Sequence, residues 1–133
     1  MFRLESTILK NLIYSEPYMR KVLPYLKPEY FKEQTERIVY QEIAAFIDKY
    51  HNLPTHEALI INVTESSSLK EKQVQDAVEL LKMVHLDRTE PTDLPWLSEQ
   101  TEKFCKDAAL YNAVLEAVSL MDDTKTGEDR KPK

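Results

Sequence analysis

One glycine, Gly127, in 133 residues restricts what this chain can fold into more than any other feature. Tight hairpin turns, dinucleotide fingerprints and phosphate-cradling loops all need glycine, either for positive φ or for close backbone approach. Those architectures are close to excluded. What remains is a chain rich in Leu, Ala, Glu and Lys whose apolar residues recur at helical spacing almost throughout, and this predicts an all-α fold. The length suits one domain with a modest core, and 42% hydrophobic with 31% charged residues suits a globular chain in water.

The predicted hub is the helix within Glu33 to Leu59. Val39, Ile43, Phe46, Ile47 and Tyr50 recur at i, i+4, i+7, i+8 and i+11, and Ile38, Tyr40 and Ala44 widen the stripe, so cover is expected on most sides. His51-Asn52-Leu53-Pro54 is expected to stop it, because Pro54 has no backbone donor and pushes Leu53 out of the helical region, and Thr55 is expected to cap the next helix. Before the hub, Leu4, Ile8, Leu9, Leu12 and Ile13 mark a first helix ended by Ser15-Glu16-Pro17. A second carries Met19, Val22, Leu23 and Leu26, with a break or kink expected at Pro24. After the hub, Ala58, Leu59, Ile61 and Val63 mark a short helix. Ser68 with Glu71 reads as a capping box for the next, whose stripe is Val74, Ala77, Val78, Leu81 and Val84.

The domain pattern is a helical globule over 1–86, a hinge at 87–95, a long assembly helix over 96–122 and a mobile tail over 123–133. Asp93 can cap the long helix, with Pro95 tolerated in its first turn. Leu97, Thr101, Phe104, Ala108, Tyr111, Leu115 and Val118 alternate steps of four and three, the seam of a helix packed along a partner. Leu110, Val114, Ala117 and Met121 repeat that rule on the neighbouring face. Between Leu110 and Met121 more than half the helix surface is therefore apolar, more than one globule needs. The candidate interface is Leu110, Tyr111, Val114, Leu115, Ala117, Val118 and Met121, and its partner is expected outside this chain.

Catalytic and metal chemistry have few candidates. Asp48 and His51 have the spacing of half a carboxylate-histidine iron site, but no second pair exists, and an ordinary helix end is the simpler reading. His56 reads as first-turn surface, His85 as a helix-end residue where positive charge is favoured, and Cys105 as a small core residue. A P-loop cannot be written with one glycine, so this chain is expected to be non-catalytic and to hold no cofactor. No stretch approaches a membrane span, and no secretion signal is evident. With Cys105 unpaired, a reducing cytoplasm is the expected location, and the Asn62-Val63-Thr64 acceptor match is then fortuitous. The net charge of −5, with no basic cluster among aromatics, removes most of the attraction that drives nucleic-acid binding, although a local basic face stays open.

Three segments resemble the N-terminal domain of DnaB-type replicative helicases, in the form found in T-even-like tailed phages. They are Leu4-Glu5-Ser6-Thr7-Ile8-Leu9-Lys10-Asn11-Leu12-Ile13, then Leu26-Lys27-Pro28-Glu29-Tyr30-Phe31, then Ile38-Val39-Tyr40-Gln41-Glu42-Ile43 with Asn52-Leu53-Pro54-Thr55. Trp96-Leu97 with Glu99-Gln100-Thr101-Glu102-Lys103 resembles the phage form of the hairpin helix. Lys10 departs from the bacterial pattern, which commonly has glycine there. The resemblance implies one piece of a longer helicase, in which the long helix is the first arm of a helical hairpin. It also implies a non-catalytic role, in a hexamer collar with neighbouring subunits and in docking primase. ATP, Mg and single-stranded DNA would belong to the motor of the full-length parent, in the host cytoplasm if the protein is phage-encoded. The alternative from the residues alone is a free-standing helical adaptor or nucleic-acid-binding regulator that dimerises through its last helix. A third reading, a ferritin-like metal enzyme, would require iron or zinc in the purified protein.

Overall fold

The computed structural model describes residues 3–130, with the side chains of 123–130 excepted. Six α-helices follow one another, with no strand among the described residues: α1 (Leu4–Tyr14), α2 (Glu16–Val22), α3 (Gln34–Tyr50), α4 (His56–Thr64), α5 (Glu71–Leu86) and α6 (Leu94–Arg130). The all-α fold with a long last helix is as the sequence pattern predicts.

Local chemistry sets most of the boundaries. Ser15 closes α1, its N–H bonding the Asn11 carbonyl, and opens α2, its hydroxyl accepting from the Tyr18 N–H. The chain turns there without a loop. Pro24 has no N–H to continue α2, which gives way to a 3₁₀ turn over Leu23–Tyr25; a second such turn spans Pro28–Tyr30. Thr55 caps α4 by accepting from the Ala58 N–H at 3.1 Å, and Asp93 caps α6 by accepting from the Trp96 N–H at 3.0 Å.

Two local expectations are corrected. Helix α3 ends at Tyr50, directly before the His51–Pro54 stretch expected to stop it, but the stop is made by His51, not Pro54: His51 turns left-handed with φ 56° and its N–H bonds the Ile47 carbonyl at 2.7 Å. The Ser68–Glu71 capping box does not form. Helix α5 starts at Glu71, the Gln73 side chain accepts from the Lys70 N–H at 2.8 Å, and the Ser68 hydroxyl pairs instead with Ser66 at 3.0 Å. A glutamine that reaches back one turn takes the part expected of Glu71, two residues later in the chain.

Helix α3 is the hub, packed against α1, α4 and α5 and against the second 3₁₀ turn. Val39 and Ile43 are fully buried, but Phe46 is half-buried and Tyr50 is 55% exposed, so cover is many-sided only over the first half of the helix. The core joins Ile8, Leu9, Leu12, Phe31, Leu59, Val63, Ala77 and Leu81 around it. Phe31, from the connector, is wholly buried between Tyr40, at 5.2 Å between ring centroids, and Phe104 of α6, at 5.4 Å. The Tyr40 hydroxyl donates to the Leu26 carbonyl at 3.0 Å, which satisfies a polar atom that would otherwise be orphaned in the core.

Residues 87–93 form the loop between α5 and α6. It is tied down: the Lys10 ammonium donates to the Glu90 carbonyl at 3.2 Å. Helix α6 runs on to Arg130, past the end at 122 that the sequence pattern suggested, while residues 131–133 of the expected tail lie outside the described residues. After Met121 the first residue unable to continue a helix is Pro132.

Candidate assembly surface

The first half of α6 is docked on the globule by one seam. Leu97 is fully buried, Thr101 and Ala108 are buried and Phe104 is half-buried against Phe31. Thr101 hydroxyl hydrogen goes to the Leu97 carbonyl at 2.7 Å, so the buried Tyr18 hydroxyl, 2.6 Å from Thr101 Oγ1, is the donor in that pair. Burial pushes the Tyr18 phenol well above its usual range, beyond the reach of ordinary titration. This short chain of hydrogen bonds fixes α6 against α2.

Contact with the globule ends one turn later. The Asn112 amide donates to the Glu29 carbonyl at 3.1 Å, and the Lys32 ammonium lies 4.7 Å from the Tyr111 ring centroid. From residue 113 to residue 122 every position is exposed. This stretch projects about 15 Å at 1.5 Å per residue.

Of the seven interface residues proposed from the sequence, Val114, Leu115, Ala117, Val118 and Met121 lie in that projecting stretch, while Leu110 and Tyr111 sit just before it, at the edge of the globule. Leu110 is 66% exposed and Met121 72%, Tyr111, Val114, Leu115 and Val118 are each about half exposed, and Ala117 is exposed. They share one helix and their positions span roughly 160° of its circumference at about 100° per residue. The sequence pattern missed Leu120, which is 58% exposed. Its signal was present, because Ala113, Ala117 and Leu120 repeat the same four-and-three step as a third seam.

Covering the exposed part of each large side chain would contribute roughly 1 kcal/mol at the usual value per unit of apolar area. An apolar surface of this continuity makes the projecting stretch a candidate interaction site.

Candidates for other chemistry take ordinary positions. Asp48 and His51 are exposed at the end of α3, where His51 serves as the left-handed cap. Among the described residues no group of three or more His, Cys, Asp or Glu could hold a metal ion, and no helix is long and apolar enough to cross a membrane. Cys105 is half-buried against the core, and burial pushes its thiol up. His85 does sit in the last turn of α5, but its expected preference for positive charge is corrected: burial, then His56 and Arg88, hold it below the ordinary histidine value. His56 is half-buried at the start of α4, not plain first-turn surface.

Fold and surface together define a helical domain with a projecting, apolar terminal helix. No family profile matches the chain. Over 126 residues, 95% of its length, the chain is 27% identical to the DnaB-like replicative helicase of Enterobacteria phage T4, and it spans 26% of that protein's length. The resemblance carried by the motifs is thus borne out, and the similarity supports a helicase-related role.

Proposed function

We propose that this chain is a non-catalytic assembly and docking domain of a phage replicative DNA helicase. The observation that carries the reading is the run of exposed apolar side chains from Leu110 to Met121 on a helix that leaves its own globule after Asn112. Such a surface is stabilised only when another polypeptide covers it. The similarity to the phage T4 helicase over nearly the whole chain supports a helicase-related setting, and the partners we propose are neighbouring helicase subunits in a ring, with primase docked beside them. ATP, Mg and single-stranded DNA would be handled by the rest of the parent protein. The chain would act in the cytoplasm of the infected host.

A pull-down of the cognate primase with this chain tests the docking half of the proposal. Capture is expected with the wild type and loss of capture with Val114→Glu or Val118→Glu. Failure of the correctly folded wild type to capture primase would remove docking from the proposal.

A further inference from the structure

Helix α1 presents Lys10 and Tyr14, one turn apart, to the far side of the molecule's sequence. The Lys10 ammonium holds the Glu90 carbonyl in the α5–α6 loop, and the Tyr14 hydroxyl lies 2.7 Å from His85 Nδ1 in the last turn of α5. The His85 ring also stacks on His56 of α4, with centroids 4.0 Å apart and planes within 16°. His56 Nδ1 is buried without a hydrogen-bond partner among the described residues. Three elements and a loop therefore meet at one pair of imidazoles.

We propose that this Tyr14–His85–His56 cluster is an acid-sensitive latch, which holds α4, the end of α5 and the following loop on α1 and releases them together when His85 is protonated. The geometry fits neutral rings. With the Tyr14 hydroxyl as donor to His85 Nδ1, the His85 proton sits on Nε2. A proton added to either ring faces the other at stacking distance. The groups acting on His85 are Tyr14 from α1, His56 and Glu57 from α4, and Arg88 from the loop; among the described residues α3 adds none. Burial, His56 and Arg88 disfavour the cation, and Glu57 alone favours it. Because the folded-state value lies below the ordinary 6.5, the opened form takes up the proton first. The latch therefore contributes fully above that value and weakens as pH falls through it.

Release need not disturb α6, which is held separately by Tyr18–Thr101 and Phe31–Phe104. Opening would be local.

Hydrogen exchange of the whole chain at pH 7.5 and 5.5, corrected for the intrinsic pH dependence of exchange, tests this. Residues 56–64 and 83–93 are expected to lose protection severalfold at the lower pH, while 97–112 keep theirs. His85→Asn, which retains an acceptor for Tyr14 but cannot titrate, is expected to abolish the response. Tyr14→Phe, which removes the donor, is expected to show raised exchange in the same segments already at pH 7.5. Equal protection at both pH values in the wild type, a response that persists in His85→Asn, or opening that spreads equally to 97–112 would overturn the latch.

Discussion

At the scale of single residues, the fold keeps a few side chains in arrangements that cost free energy, and these are sensitive to substitution. His51 adopts a left-handed backbone that costs an L-residue roughly 1–2 kcal/mol. Glycine has no such penalty but loses more freedom on folding, so His51→Gly is expected to stabilise the protein by about 0.5 kcal/mol in thermal or chemical unfolding. Glu36 is buried, and Arg3 reaches it with Nε and Nη2 at 3.1 and 3.3 Å. The pairing raises the guanidinium, yet at Glu36 burial outweighs Arg3 and holds the carboxyl above its usual range. Arg3→Ala leaves that carboxylate alone, and should cost roughly 1–3 kcal/mol at pH 7. The sign with pH follows from the raised value: the neutral acid is the better tolerated form, so the loss is expected to shrink toward pH 4 in denaturant titrations. Neither residue announced itself in the sequence. A left-handed cap on a non-glycine residue and a carboxylate buried by a partner 33 positions away both depend on tertiary contacts that no local pattern encodes.

At the scale of elements, the legible features were those set by neighbours in the chain. The 3.6-residue spacing located the apolar stripes of α1, α3 and α5; prolines and capping side-chain oxygens located the break after Val22 and the starts of α4 and α6. The start of α5 was misplaced because two local solutions compete there. Ser68 could have capped, but Gln73 closes on Lys70 three residues later. Asp93 is the cap with most consequence, since it sets where α6 begins. Asp93→Ala is expected to lower stability by about 1 kcal/mol without changing the helix's exposed face. Equilibrium unfolding measures the first effect and circular dichroism the second. Tyr18→Phe removes the donor to Thr101 while Thr101 keeps its bond to Leu97, so a loss of about 0.5–1.5 kcal/mol is expected in the same assay.

For the whole molecule, a globule built from α1 to α5 grips one seam of α6 and releases the helix after Asn112. The sequence pattern made the surplus apolar surface visible because it could be counted along one helix. It could not show where the globule stops covering that helix, since this depends on how far Glu29, Phe31 and Lys32 reach across space. The projecting segment is the physical reason to assign the domain to assembly, and it must be separable from folding. Sedimentation velocity over a wide concentration range, comparing the wild type with Leu115→Glu, measures that most directly. The expected result is concentration-dependent association of the wild type, loss of it in the variant, and unchanged unfolding midpoints for both. A wild type that stays monomeric at the highest concentration, or a variant that associates as well as its parent, would contradict assembly through this face.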